Sequence, residues 1–435
     1  MIELLLFGSF FVLLALGVPV AFSLGAASIL VLVVTDGLRV LDVVPSVIFP
    51  SMSSATLLAI PFFVLTGVIM QHTGISKRLV DLAFLVFGRF THGMAFVTIA
   101  AAFFFSAISG SGPATVAAIG GILVPALVKD GFRPAHASSL VAASGSMGII
   151  VPPSIAFIVF AVVAAEYERV SISRLFIAGV VPGILLGIAF LVAAMFLPRT
   201  RRSLAEVVAG AAVAGGGGSA RRGRGDDTTP APARATTRLL AQGAGAHPGA
   251  GATDATGGGA GSAGRLGGVA TQRHGYRPEA GVGTAAIMFI VGVASLFSYV
   301  ITVEHVTERV STAVLGVTDN RFLVLLAATV LLLVVGAFVD AVSAFYLLVP
   351  VMVPVLLAVG VDITTIGVMM TVNLAIGLFT PPVGLNLFVA ADFGKLRPED
   401  MVRGVLPFFL AALVCLLLVT YVPWFSNWLP DLLGV

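Results

Sequence analysis

Gly148-Ile149-Ile150-Val151-Pro152-Pro153 and, 229 residues further on, Gly377-Leu378-Phe379-Thr380-Pro381-Pro382 set two proline pairs inside apolar sequence. Two consecutive prolines remove two backbone donors and their rings clash with the preceding turn, so a continuous helix passes through neither string. The residues around them repeat at the same spacing. Val124-Pro125, Gly131, Gly148, Pro152, Pro153 and Ala161 recur as Val353-Pro354, Gly360, Gly377, Pro381, Pro382 and Ala390, each 229 positions on. Gly179-Val180-Val181-Pro182 then matches Gly404-Val405-Leu406-Pro407 at an offset of 225. The chain reads as two homologous halves, a signature of secondary transporters.

The composition says what surrounds those halves. Of 435 residues, 58% are hydrophobic and 10% charged, and the mean hydropathy is +1.09. Apolar runs at 4–34, 54–70, 93–108, 175–197, 285–302, 322–339 and 403–420 are each able to cross a bilayer as helix. They do not alternate apolar with polar residues, which excludes a β-barrel. The first run carries Glu3 rather than a basic n-region and is expected to be a retained helix, not a signal peptide. The formal charge of +3 forms no basic face interleaved with aromatics, so no nucleic-acid partner is expected. Cys415 lies in an apolar run and reads as a core or lipid-facing residue.

A helix broken at membrane depth must line a polar cavity or be buried in protein, because freed carbonyls cost several kcal/mol each in lipid. Carbonyls and half-helix C-termini suit a cation; half-helix N-termini suit an anion such as a carboxylate. The polar groups at hand are Ser144, Ser146 and Ser154 in the first half, and Asn373, Thr380 and Asn386 in the second. The alternative is that these residues pack helices and the prolines merely kink them. Upstream, Ser106-Ala107-Ile108-Ser109-Gly110-Ser111-Gly112-Pro113 is too rich in Gly and Ser for lipid-facing helix and reads as a hairpin tip, with Pro113 opening the next helix. At the matching place in the second half, Gly336-Ala337-Phe338-Val339-Asp340 puts a carboxylate inside an apolar run. It reads as a functional group or as the mark of a helix end. Competing chemistry, an intramembrane serine hydrolase using Ser109 or Ser111, needs a positioned base. His72, His92 and His136 all sit beside charged, turn-like residues instead.

At three strings the chain resembles the large membrane subunit of tripartite ATP-independent periplasmic (TRAP) transporters, the DctM type. They are Ser109-Gly110-Ser111-Gly112-Pro113-Ala114-Thr115, then Val151-Pro152-Pro153-Ser154, and the run from Asn373 through Gly377, Thr380, Pro381, Pro382 and Gly384 to Asn386. The likeness covers about residues 1–200 and 284–435. It implies an all-α, polytopic membrane protein of the ion transporter superfamily, with two inverted repeats, re-entrant hairpins and discontinuous helices, working as an elevator. The first repeat would span 1–200, with scaffold helices, a hairpin over 93–128 and a broken helix over 137–166. The second would span 284–435, with a hairpin over 322–358, a broken helix over 363–392 and a terminal helix over 403–425. The resemblance also implies a multi-pass location in a bacterial inner membrane and no cofactor. Sodium coupling follows from it too, the ion held by backbone around Ser109 to Gly112, Gly145 to Pro152, Gly336 to Asp340 and Gly377 to Pro382. The implied partners are a small four-helix membrane subunit (DctQ type), a periplasmic substrate-binding protein (DctP type) and a small organic acid, C4-dicarboxylate or related. A carrier of related fold that works alone, coupled to sodium or protons, is the alternative.

Residues 203–283 depart from this pattern. They are rich in Gly, Ala and Arg, contain no Ile, Phe, Met or Trp, and are expected to be disordered. The 229 offset maps the first helix onto 234–263, inside this stretch, so membrane sequence is replaced there at nearly conserved length. Two readings follow: a frame-shifted reading of a GC-rich gene, which would leave the polypeptide short of scaffold helices, or a genuine linker insertion. Translating the coding DNA in its other two frames decides, since an apolar segment near 234–263 in neither frame removes the first reading. Arg199, Arg201 and Arg202, with Lys77 and Arg78, mark candidate cytoplasmic edges.

Overall fold

The structure is a computed structural model that describes residues 2–53, 57, 59–90, 92–198, 264–318 and 320–435; side chains at 38, 70–72, 264–280, 283, 315 and 317 are left out. Every regular element among the described residues is helical. The first half holds α1 (Ile2–Ala15), α2 (Val20–Asp36), α3 (Val43–Met52), α4 (Ala59–His72), α5 (Ile75–Phe87), α6 (Gly93–Ser109), α7 (Gly112–Lys129), α8 (Pro134–Gly145), α9 (Ile155–Ala164) and α10 (Ile172–Met195). The second holds α11 (Gly264–Val303), α12 (Val306–Val317), α13 (Arg321–Gly336), α14 (Ala341–Ala358), α15 (Ile363–Gly377), α16 (Leu385–Gly394), α17 (Val402–Tyr421) and α18 (Trp424–Leu432). Five segments are long and apolar enough to cross a membrane: Gly112–Lys129, Ile172–Met195, Thr284–Val303, Ala341–Ala358 and Pro398–Tyr421.

The repeat survives folding residue for residue. α14 begins and ends 229 positions after α7, and α15 begins 229 after α8. Gly131 and Gly360, the paired turn glycines, both take a left-handed φ, +100° and +77°. Equivalent helices also run in opposite directions. Arg174 at the start of α10 bonds Asp431 in α18, just past the end of α17, while Phe190 late in α10 packs on Phe408 early in α17. The equivalent pair α10 and α17 is therefore antiparallel. Ser139 near the start of α8 donates to the Met401 carbonyl at the start of α17, and Arg174 donates to Thr364 at the start of α15. So α8 follows α17, α15 follows α10, and the two halves are inverted.

Three boundaries differ from the sequence reading. The run 4–34 is two packed helices, because Gly17 turns the chain at φ +84° and Pro19 cannot donate into a continuing ladder. The terminal helix stops at Tyr421, where Pro423 ends it, and a short amphipathic α18 follows. Residues 203–263 lie outside those described, but 264–283, expected to be disordered, are helical as the leading part of α11. Adding turns to an apolar helix that already exists carries no nucleation cost, so weak formers are carried along.

Arg174 fastens one end of the molecule. Its Nε donates to Thr364 Oγ1 at 3.0 Å, and its Nη2 reaches Asp431 at 2.7 Å and Asn427 at 3.4 Å. Asp431 is 62% exposed, so that ion pair is screened. Arg174 Nη1 also donates to the Val435 carbonyl, and most of the effect of Arg174→Ala, about 1–2 kcal/mol, is expected from the bonds other than the Asp431 pair. Cys415, the free and buried thiol, supplies the readout: a thiol-reactive dye should label the variant at a lower temperature than the parent chain. Unchanged labelling would mean that apolar packing and the bond from Asn427 to Thr365 suffice to hold α18.

Candidate functional site

The α6–α7 hairpin closes because Gly110 takes φ +61°, capping α6 through its N–H to the Ser106 carbonyl. Ser111 then turns extended as the N-cap of α7, with Pro113 in the second helical position, one later than expected. In the second half, Asp340 stands 229 positions after Ser111 at the same N-cap position, extended like it, but unlike Ser111 it caps its helix, α14, through its side chain. Its Oδ1 accepts from the Val342 and Ser343 N–H groups at 3.0 and 3.1 Å, and its Oδ2 from Ser343 Oγ at 2.6 Å. Asp340 marks a helix start and sits half-buried on the wall of a cavity.

Both prolyl pairs break their helices as expected. The first half ends α8 in a short 3-10 turn, Ser146–Ile149, passes through Pro152 and Pro153, and restarts at Ile155. The second ends α15 at Gly377 and restarts at Leu385, with Gly384 at φ +55°. The Pro152-Pro153 and Pro381-Pro382 bonds are both cis. Each break is pressed against its hairpin by a glycine. A Cβ on Gly148 would meet the Ser111 carbonyl oxygen at 2.5 Å, and one on Gly377 would meet the Gly336 backbone carbon at 2.4 Å. Gly145 is packed likewise against Val116 and the Gly112 carbonyl.

The two halves then meet. Asn386 Nδ2 donates to the Ala142 carbonyl at 3.1 Å across the repeat, and its amide flanks Gly112. Gly110 approaches the Pro153 carbonyl, where a Cβ would lie 3.1 Å from it. Gly110, Ser111, Pro113 and Asp340 line the cavity with Ile149, Ile155, Ala156, Ile287, Ala341, Val342, Leu378 and Leu385; it holds about 600 Å³ including its open mouth. The helix starts of α7, α9, α14 and α16 converge on it, and their N–H ends favour an anion.

Other expected site residues serve the walls. Ser109 Oγ bonds Thr115 Oγ1 at 2.9 Å and the Ser111 carbonyl, so it knits the hairpin tip and has no imidazole among these partners. Ser146, Ser154 and Thr380 donate to the carbonyls of Ala143, Ile149 and Ile376, satisfying main chain near the breaks. Asn373 donates to the Thr329 carbonyl and ties α15 to α13. Pro152, Pro153 and Pro381 are half-buried and Pro382 is exposed. Ser144 Oγ, Asn373 Oδ1 and Asn386 Oδ1 are buried without a partner. Ser144 and Asn373 are 229 apart, so each half carries an orphaned oxygen one turn before its break. Buried oxygens left this way cost about 1–3 kcal/mol each unless a water or ion meets them. The apolar lining from Ile287, Leu378 and Leu385 was not legible, because nothing separates these residues from other membrane positions.

Comparison with known proteins yields the same architecture. Residues 7–218 and 271–425 match the family "Tripartite ATP-independent periplasmic transporter, DctM component", which leaves 219–270 unmatched inside the Gly/Ala/Arg-rich stretch. The chain is 36% identical over 438 residues to the isethionate TRAP transporter permease protein DctMQ of Oleidesulfovibrio alaskensis, covering 96% of this chain and 65% of that longer protein. It is 32% identical over 452 residues to the C4-dicarboxylate TRAP transporter large permease protein DctM of Vibrio cholerae, covering 97% and 96%. Among solved structures, the YdaH transporter of Alcanivorax borkumensis superposes with a TM-score of 0.54 at 15% identity over 92% of this chain and 91% of that one, a likeness of fold.

Proposed function

The chain belongs to the DctM component family of tripartite ATP-independent periplasmic transporters, and on that premise we propose that it is the large permease subunit of a sodium-coupled importer of a small organic acid. It is a multi-pass protein of the bacterial inner membrane. The observation that carries the reading is the meeting of both hairpin tips and both broken helices at one cavity, where four helix N-termini favour an anion. Isethionate and C4-dicarboxylate, carried by the relatives, are both small organic anions. In this reading the substrate's negative group lies at the helix starts, and sodium offsets Asp340 and the half-helix C-termini. The hairpins and broken helices move together against a scaffold that includes α1, α2 and α11.

Basic residues support an orientation. Lys129, Arg133, Lys395, Arg397 and Arg403 gather at the end where α8 and α17 begin, against Arg169 and Arg174 at the other. The first end is cytoplasmic under the positive-inside rule. A four-helix membrane subunit and a periplasmic binding protein complete the system; the chain spans only 65% of the DctMQ relative, which leaves length there for a joined second subunit. Uptake in proteoliposomes with both partners added, using radiolabelled C4-dicarboxylate and isethionate as probes, tests the reading. Uptake should require an inward sodium gradient. Uptake indifferent to sodium would remove the coupling ion, and uptake without the binding protein would favour a carrier that works alone.

A further inference from the structure

Residues four apart share a face of a helix, and on α18 the protein covers every face but one. Ser426 and Pro430 are buried against the molecule, and Phe425 and Leu429 are half-buried beside them. Asn427 and Asp431 are fastened: Asn427 Nδ2 donates to Thr365 Oγ1 at 3.1 Å, and both side chains accept from Arg174. The remaining row, Trp424, Trp428 and Leu432, points outward, 53%, 42% and 66% exposed. Its two indoles stack with their centroids 5.3 Å apart at 30°, so they form one apolar plate on a helix that is otherwise held down. Apolar surface of this kind marks an interaction site.

The plate continues a surface that faces lipid. Pro398–Tyr421 is long and apolar enough to cross the membrane, and along α17 and its C-cap Leu406, Leu410, Val414, Leu418 and Val422, every fourth residue, are exposed. Pro423 then turns the chain, and Trp424 follows. At the same end Tyr421 stacks on the exposed Phe322 of α13, with centroids 5.6 Å apart at 18°. Trp and Tyr, apolar in body and polar at one tip, collect where acyl chains meet headgroups. A short amphipathic helix placed there lies in the plane of that boundary.

We propose that α18 lies in the plane of the membrane at its outer surface, with Trp424, Trp428 and Leu432 seated among phospholipid acyl chains just below the headgroups. The assignment to the outer leaflet rests on the orientation given above; the contact with lipid does not. Arg174 bonds Thr364 and Asn427 bonds Thr365, which ties α18 to the start of α15. The broken helix of the second half therefore carries its own hold on the membrane surface.

Trp424 and Trp428 are the only tryptophans in the chain, so tryptophan fluorescence of the full chain in lipid nanodiscs reads α18 alone and depends on no transport activity. Phosphatidylcholine brominated high on its acyl chains should quench this fluorescence several-fold more than lipid brominated near the chain ends, and aqueous iodide should quench it weakly. Trp424→Phe and Trp428→Phe should each keep that order for the indole that remains, with dye labelling of Cys415 showing that both variants are folded. Strong quenching by iodide with none from either brominated lipid would put this face in water and overturn the proposal. So would stronger quenching from the chain ends, which would place the indoles in the hydrocarbon core. Lipid quenching that disappears when the small membrane subunit is reconstituted beside the chain would also overturn it, by giving the face to a protein.

Discussion

Gly377→Ala is expected to reduce substrate uptake about tenfold or more while the protein still reaches the membrane. The added carbon would lie 2.4 Å from the Gly336 carbon, 2.5 Å from its oxygen and 2.7 Å from its Cα, all backbone atoms that cannot rotate away. Either the end of α13 or the break after α15 must move. Overpacking of this kind costs about 1–3 kcal/mol, and 1.4 kcal/mol is about a factor of ten in a rate or equilibrium constant. Gly148→Ala should act alike, since its carbon would meet the Ser111 carbonyl oxygen at 2.5 Å and the Gly112 nitrogen at 2.9 Å. Gly187→Ala is the control: its nearest new neighbour is the Met147 sulfur at 3.7 Å, an ordinary contact, and uptake should stay at the parent level. Initial rates in proteoliposomes check all three, with dye labelling of Cys415 reporting whether each variant is folded. Parent-like uptake by Gly377→Ala would mean that the hairpin need not seat on the break.

Asp340→Asn separates the two roles that the structure gives this residue. An asparagine keeps an acceptor for the Val342 and Ser343 N–H groups, and Asn caps a helix about as well as Asp, so α14 should stay intact and thermal stability should be nearly unchanged. The charge on the cavity wall is lost. An interaction with a charged group contributes about 1.5–3 kcal/mol, so the sodium concentration for half-maximal uptake should rise by roughly one to two orders of magnitude. Asp340→Ala should show the same loss together with a weaker helix start, about 0.5–2 kcal/mol of stability. The sodium dependence of uptake, read beside the Cys415 melting curve, distinguishes the outcomes. A parent-like sodium requirement in Asp340→Asn would reduce the residue to a cap.

The parts of this architecture that show in the sequence are those where backbone chemistry forces a residue type. Prolines that stop a helix, glycines that allow backbones to touch and turn glycines at left-handed φ gave the halves, the two breaks and both hairpins. The inversion of the halves was implied only by the family resemblance, because direction depends on how many crossings precede each repeat; in the structure it shows in where Arg174, Ser139 and Phe190 find their partners. The equivalence of Ser111 and Asp340 was within reach of the 229 offset, although the two residues share only the N-cap position and Asp340 alone caps with its side chain. The turn at Gly17 was hidden inside an unbroken apolar run, where hydropathy does not register a hairpin. Residues such as Ser109 and Thr380, chosen for polarity beside a break, bond to nearby hydroxyls or carbonyls and stabilise the walls.

Direct binding of radiolabelled sodium to the full chain in lipid nanodiscs probes the site most closely, because it asks whether the paired breaks hold the ion without relying on turnover. The parent chain should bind sodium saturably, Gly148→Ala and Gly377→Ala should each lose part of that capacity, and Gly187→Ala should lose none. Equal binding in all four proteins, or none in the parent, would contradict the assignment of these two backbone crossings as the place where cargo and driving ion are held.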